Sequence, residues 1–195
     1  MENTKDTNKS IGTFEVESGA IHVSDPCYDL FAWCSGTLKN VQNGTWEASI
    51  VRKSVDGWGI RNCELIAHPE GIVPGTEWEE TIIDGGVDSG QLGFYDLNHY
   101  KKHEDIKSEP EHNYGDNGEW WYGANCDVTL EGIGAGVIPF GCVSSSGYGD
   151  GSYPIFIQKD TDGKIIAIKA VFIGDKEEEC EDYDDEDYCD EENES

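Results

Sequence analysis

The stretch Ser144–Pro154, SSSGYGDGSYP, places three glycines, one acid and two tyrosines between two segments with the composition of β-strands. Alternate glycines permit positive φ angles and the close approach of another group, so this stretch could offer N–H groups to an anion or the Asp150 carboxylate to a cation. The Gly-Lys-Ser/Thr order of a phosphate-binding loop is missing. The alternative is a tight turn in which Asp150 accepts hydrogen bonds from nearby N–H groups. The predicted ligand-binding residues of this loop are Ser146, Gly147, Tyr148, Gly149, Asp150, Gly151 and Tyr153.

Several aspartates adjoin Gly or Pro turns, among them Asp88, Asp96 and Asp150. If strand ends brought these three together, they could hold Ca²⁺ or Mg²⁺ through oxygen ligands or share a proton as an acid/base pair. No D-x-[DN]-x-[DN]-G calcium loop is present, and Asp is also the ordinary residue of turns and caps. We therefore expect no cofactor, with a divalent cation as the alternative.

Arg61 follows Trp58 by three residues, in a chain that has only one other arginine, Arg52. A guanidinium beside an aromatic ring can anchor a carboxylate, a phosphate or a stacked ring. An ion pair with one of the many acids is the alternative. We predict that Arg61 and Trp58 belong to the ligand site, together with Asp88 and Asp96.

No catalytic set is recognisable. The serines at 144–146 do not fit G-x-S-x-G, and the seven cysteines contain no C-x-x-C pair. His99 and His103 are four residues apart but lack a third ligand pattern. Catalytic residues therefore remain unknown, and no metal ligands are assigned.

The elements that must position these residues are mostly strands. Alternating segments separated by turn residues predict a hairpin at Asn43–Gly44, a turn at Asp56–Gly57 and a hairpin at Lys159–Gly163. Asp96 could cap a short helix over Leu97–Asp105. The other predicted strands are 13–17, 20–24, 45–51, 57–67, 78–83, 91–95, 120–130, 136–144, 153–158 and 164–173. The pattern is typical of an all-β antiparallel sandwich or partly closed barrel with one short helix.

The chain of 195 residues has 41 acids and 13 bases, which give a formal net charge of -28, and the acids are concentrated at its C-terminal end. Residues 175–195 hold fourteen acids and one lysine, which predicts a disordered acidic C-terminal tail. Residues 1–10 are expected to be a flexible terminus and residues 11–174 a single β domain. No basic stripe favours direct nucleic-acid binding, and no segment has the apolar length of a membrane span or the pattern of a signal peptide. We expect a cytoplasmic protein.

Three segments carry a resemblance to a known family: GAIHVSDPCY (residues 19–28), DSGQLGFYD (residues 88–96) and the C-terminal CVSSSGYGDGSYPIFIQKDTDGKIIAIKAVFI (residues 142–173). They resemble bacterial and phage proteins catalogued only as a domain of unknown function, in which D-x-G-q-x-x-f-x-D and S-G-y-G-D-G-x-Y segments recur. The resemblance supports the fold and the site but implies no activity.

These observations favour a non-enzymatic binding or inhibitory module of phage or bacterial origin, an accessory or anti-defence protein with a ligand pocket at Gly147–Ser152. Its partner would be a small molecule or a host protein. One alternative is a metal-assisted hydrolase that uses Asp88, Asp96 and Asp150. Another is an acidic nucleic-acid mimic that binds a basic host protein.

Overall fold

In a computed structural model, residues 7–106 and 120–174 are described. They form eleven strands, two turns of 3-10 helix and one α-helix. In chain order the elements are β1 Thr7–Val16, β2 Ala20–Ser24, β3 Gly36–Lys39, β4 Gly44–Val55, β5 Gly59–Pro69, β6 Glu79–Val87, β7 Gln91–Asp96, the 3-10 turns Leu97–His99 and His103–Asp105, α1 Trp120–Leu130, β8 Ala135–Ile138, β9 Gly141–Ser145, β10 Gly151–Lys159 and β11 Ile165–Val171.

The strands form two sheets in which every ladder is antiparallel. The six-stranded sheet has the order β1-β4-β5-β11-β10-β6, and the five-stranded sheet has the order β3-β2-β7-β9-β8. In β4 and β5 of the larger sheet, buried side chains alternate with more exposed ones, so one face of that sheet packs against the smaller sheet. The predicted all-β antiparallel fold with one short helix is confirmed.

The main core lies between the two sheets. Trp46, Leu65 and Ile168 of the larger sheet and Ile21 and Phe94 of the smaller one are fully buried there. The indole Nε1 of Trp46 donates to the carbonyl of Gln42 at 2.9 Å, which satisfies the polar atom of the largest buried side chain. This packing fixes the positions of the loops that connect the two sheets.

A second, smaller core covers the outer face of the five-stranded sheet. Helix α1 places Trp121 against Tyr95 of β7 with ring centroids 4.8 Å apart, and Asn125 one turn later accepts a hydrogen bond from the Tyr95 hydroxyl at 2.8 Å. Tyr100 completes the aromatic cluster, 5.0 Å from Trp121. The smaller sheet is therefore covered on both faces.

The prediction of a strand over Trp120–Leu130 was wrong, because this segment is helix α1. Its aromatic and β-branched residues favour a strand locally, and the buried polar Asn125 interrupts the apolar stripe that would have revealed the helical period. Packing against the second core decided the conformation. The predicted helix over Leu97–Asp105 is instead the two 3-10 turns, although Asp96 does cap the first of them.

The hairpin predicted at Asn43–Gly44 does not form either. Strand β3 pairs with β2 in the smaller sheet, whereas β4 pairs with β1 and β5 in the larger one, so the chain crosses between sheets at 40–43. The segment predicted as one strand over Gly136–Ser144 is a β8–β9 hairpin whose turn holds Phe140 at a φ of 62°.

The turns at Asp56–Gly57 and Lys159–Gly163 are confirmed as the β4–β5 and β10–β11 connections. Strand β1 begins at Thr7, inside the stretch expected to be a flexible terminus. The predicted acidic tail, residues 175–195, lies outside the described residues. No described helix has both the length and the apolar character that crossing a bilayer requires.

Candidate functional site

The predicted ligand loop is the turn between β9 and β10. Ser146 is buried, and its hydroxyl donates to the carbonyl of Gly149 at 2.7 Å, while the Gly149 N–H donates back to the Ser146 carbonyl at 3.0 Å. The Tyr153 hydroxyl lies 2.9 Å from the Ser146 carbonyl oxygen and 2.7 Å from that of Gly149. Ser146 and Tyr153 therefore hold the shape of this turn.

Glycine at position 147 is required by the backbone and by its surroundings. Its φ is 59°, in the left-handed region, and a Cβ there would lie 2.9 Å from Ile173 Cγ1 and 3.0 Å from Phe172 Cβ. The turn is thus pressed against the end of the chain segment that follows β11. This close contact sets the direction in which the next residue, Tyr148, projects.

Tyr148 packs against Trp58 at the surface, and Trp58 in turn lies beside Arg61. The Tyr148 and Trp58 rings pack edge to face with centroids 5.2 Å apart, and each side chain is about half exposed. The Arg61 Cζ lies 5.5 Å from the centroid of the Trp58 ring, a cation–π distance. We call these three residues the Arg61 cluster, and they include both parts of the predicted site: the ligand loop and the arginine–tryptophan pair.

The local backbone explains how the cluster is assembled. Trp58 lies at the tip of the β4–β5 hairpin, where Gly57 and Gly59 both have positive φ angles and its N–H donates to the Val55 carbonyl at 3.0 Å. Arg61 is the third residue of β5, directly opposite Lys53 of β4. The tight turn folds the indole back beside the guanidinium.

Arg61 has unused hydrogen-bonding capacity. Its Nε atom is buried without a hydrogen-bond partner among the described residues, and none of the ion pairs found within 7–106 and 120–174 includes it. The predicted alternative, an ion pair with a local acid, is therefore not seen there. The chain's other arginine, Arg52, is used differently, since its Nε donates to Asn62 Oδ1 at 3.2 Å.

The three aspartates considered as a metal or acid/base set do not converge. Asp88 lies in the turn before β7 and Asp96 ends the strand, so the length of β7, about 17 Å, lies between them. Asp150 lies near Asp88, because Gly151 pairs with Val87 in the neighbouring ladder. Within the part of the chain that the structure describes, no group of three or more His, Cys, Asp or Glu side chains could hold a metal ion.

Asp96 has a structural role. It is fully buried, its Oδ2 accepts the N–H groups of Glu17 and Ser18 at 2.7 Å each, and its Oδ1 accepts the Asn98 N–H at 2.9 Å. It thereby fixes the β1–β2 turn against the end of β7. Asp150 is exposed, and none of the hydrogen bonds found among the described residues of its turn uses its carboxylate. The alternative that Asp150 organises the turn is therefore not supported, and Ser146 and Tyr153 hold the turn instead.

Asp25 was not among the predicted site residues, but the structure gives it a clear structural role. Its carboxylate is fully buried and accepts four hydrogen bonds, from the N–H groups of Cys27, Asp88 and Ser89 and from the Ser89 hydroxyl, at 2.6–2.9 Å. It joins the GAIHVSDPCY segment to the DSGQLGFYD segment. In the sequence, the Asp25-Pro26 pair beside a strand indicates a turn, but it does not indicate which distant residues the Asp25 carboxylate contacts.

Two groups close to Asp25 in the sequence, His22 and Cys27, have pKa values shifted by their burial. Burial lowers the pKa of His22 to about 4, and its Nε2 has no hydrogen-bond partner among the described residues. Partial burial, followed by a hydrogen bond to Asp25 and the charges of Asp25 and Asp88, raises the pKa of the Cys27 thiol to about 12. Neither group is prepared for nucleophilic or acid/base chemistry near neutral pH.

The fold and the site define a two-sheet antiparallel β domain with an arginine–aromatic cluster on its surface. Residues 78–170 match the model of a family described as "Protein of unknown function (DUF4241)". This segment runs from Trp78, just before β6, to Ala170 in β11, and it is similar to that uncharacterised family, as predicted from the DSGQLGFYD and C-terminal motifs. It contains the β9–β10 turn but not Trp58 or Arg61. A search of curated proteins and a search of solved structures found no match.

Proposed function

We propose that this protein is a non-enzymatic binding module that captures an anionic group attached to a flat ring. The Arg61 cluster forms the binding surface. The observation that carries the proposal is the guanidinium of Arg61, held 5.5 Å from the centroid of the Trp58 ring, which in turn packs against the half-exposed Tyr148. An accessory or anti-defence role, in phage or bacterial cytoplasm, is the biological setting we propose for it.

The chemistry of the cluster favours this class of ligand. A guanidinium offers two parallel N–H groups to a carboxylate or phosphate, and its planar face together with an indole accepts a ring by stacking. The half-exposed rings of Trp58 and Tyr148 supply apolar area at little conformational expense, because each has only two side-chain torsions. An anion without a ring would use only part of this surface.

The hydroxyl groups of the turn do not favour catalysis. The Ser146 hydroxyl donates to a carbonyl and Tyr153 does the same, so neither is directed at a ligand or paired with a base. The dispersal of Asp88, Asp96 and Asp150 likewise gives the hydrolase alternative no support from geometry. Binding without turnover is the simpler function for these residues.

The test is a titration followed by NMR of the Trp58 indole N–H. Benzoate and adenosine monophosphate are added in parallel with their uncharged counterparts, benzamide and adenosine. We expect the charged compounds alone to shift the Trp58 signal at millimolar concentration. The variant Arg61→Lys should weaken binding roughly tenfold, about 1.4 kcal/mol, because it keeps the charge but loses the planar fork.

The matched control is Arg52→Lys, the same substitution at the arginine that Asn62 engages, and it should leave the affinity within about twofold. Equal effects of the two substitutions, or no shift with any anion, would refute the proposal. Turnover of a nucleotide, ester or glycoside panel that Asp150→Ala abolishes would also overturn it in favour of an enzyme.

A further inference from the structure

A groove of about 710 Å³ runs between the outer edges of the two sheets, where β3 and β6 face each other. Its floor and walls are mainly apolar. The residues that matter for the argument are Trp33, Leu38, Ile82, Ile83, Ile157 and Ile165. Leu38, Ile157 and Ile165 are buried at the bottom, so the groove is a continuation of the main core toward the surface.

Two large apolar side chains stand fully exposed on this groove. Trp33 has 94% of its surface exposed and Ile82 has 104%, so no other described part of this chain covers either side chain. Phe31, two residues before Trp33, is 89% exposed and has a φ of 81°, which is strained for a bulky residue. Exposed aromatic groups on a strained loop are typical of a binding surface.

The exposure of Ile82 has a structural origin in β6. Pro154 pairs with Asp84 and Phe156 with Glu80, so three residues of β6 face the single residue Ile155 of β10. This register shift marks a bulge at the edge, and Ile82 points outward because it alternates along β6 with Thr81 and Ile83 and shares the exposed face with Glu80 and Asp84. A bulged edge and a β3 of only four residues are poor templates for adding a strand, so an occupant would be held mainly by side-chain contacts.

The charges around the groove indicate the sign of its occupant. Three acids and two lysines line it, and one of those lysines, Lys159, is held by Glu79 at 2.9 Å. Glu80 and Asp84 therefore outnumber the remaining Lys39. With a net charge of -28, two copies of the chain repel each other, whereas a cationic partner is attracted.

We propose that this groove is a docking site for a cationic segment of a partner protein that inserts apolar side chains between Trp33 and Ile82. The apolar groups fill the space above Leu38 and Ile157, and the basic groups meet Glu80 and Asp84. This surface is separate from the Arg61 cluster, which takes an anion. The two proposals can therefore fail independently.

The probe is a synthetic peptide in which leucine and lysine alternate, compared with a peptide in which glutamate replaces each lysine. We expect the lysine peptide to bind and to shift backbone NMR signals of residues 33–39 and 79–84, and the glutamate peptide to bind at least about tenfold more weakly. The double variant Trp33→Ser/Ile82→Ser should weaken binding of the lysine peptide by about tenfold or more.

The matched control is Leu130→Ser, which removes an equally exposed apolar side chain, 84% exposed, from the end of α1. It should leave peptide affinity within about twofold. Equal loss with Leu130→Ser, equal binding of the two peptides, or no binding at millimolar peptide would overturn the proposal. Sedimentation that shows a dimer, which the double variant converts to monomer, would overturn it in favour of a second copy as the occupant.

Discussion

Removing the hydroxyl of Tyr153 tests whether the β9–β10 turn is held as the structure indicates. The substitution Tyr153→Phe keeps the ring, which packs edge to face on Phe172 with centroids 5.2 Å apart, and removes only the oxygen that lies within hydrogen-bonding distance of two carbonyls. The side chain is 8% exposed, so water cannot easily replace the lost donor. The variant thus isolates the contribution of one buried hydroxyl.

The magnitude follows from the hydrogen bonds. The Ser146 carbonyl keeps the Gly149 N–H and the Gly149 carbonyl keeps the Ser146 hydroxyl, so the variant loses one buried hydrogen bond, worth about 0.5–1.5 kcal/mol, without leaving an acceptor unsatisfied. For a domain of this length, that loss corresponds to a Tm decrease of roughly 1–6 °C. The turn should also loosen, because Gly149 loses the same contact.

Urea and thermal unfolding measure the change in stability, and the affinity of a ring-bearing anion measures the consequence for the Arg61 cluster. Tyr148→Phe is the matched control, since its hydroxyl belongs to a half-exposed side chain, and it should change the free energy of unfolding by less than about 0.5 kcal/mol. If Tyr153→Phe were as stable as the wild type, the Tyr153 hydroxyl could not be the group that fixes the turn.

Two further predictions concern buried titratable groups. Because folding lowers the pKa of His22 from 6.5 to about 4, stability is complete above pH 6.5 and should decrease by about 3 kcal/mol as the pH falls to 4. Urea midpoints between pH 7 and 4 measure this, and His22→Gln should flatten the dependence; an unchanged slope in that variant would contradict the assignment. Asp25→Asn should destabilise by about 2–4 kcal/mol, since an amide nitrogen would face N–H donors, whereas Asp150→Asn should stay within about 0.5 kcal/mol in the same assay. Similar losses for both aspartates would show that the Asp25 hydrogen bonds are not the reason.

Much of the fold was predictable because it depends on local patterns. Alternation along β4 and β5 and the Asp56–Gly57 turn between them could be recognised from residue types alone. Two of the wrong predictions, at Asn43–Gly44 and at 120–130, have a common cause. In each segment the local residue pattern is compatible with several conformations, and contacts with distant residues select one of them.

The candidate site shows the same division. The sequence identified Arg61, Trp58 and the β9–β10 turn separately, by composition and glycine spacing. It could not identify which of them meet, nor that Asp96 is a buried hydrogen-bond acceptor far from Asp150. Trp33 and Ile82 were not identified, because an apolar residue at the surface has the same local pattern as one in the core.

The sequence by itself determined an antiparallel β domain, its acidic charge and the turns that glycine and aspartate demand, since these follow from residue types and short-range periodicity. Only the tertiary structure decided that the tip of one hairpin meets the turn of another, so that Tyr148 packs on Trp58 beside Arg61. The physical reason is that more than eighty residues separate the two turns, and burial of the core between the sheets, a property of the whole chain, brings them together.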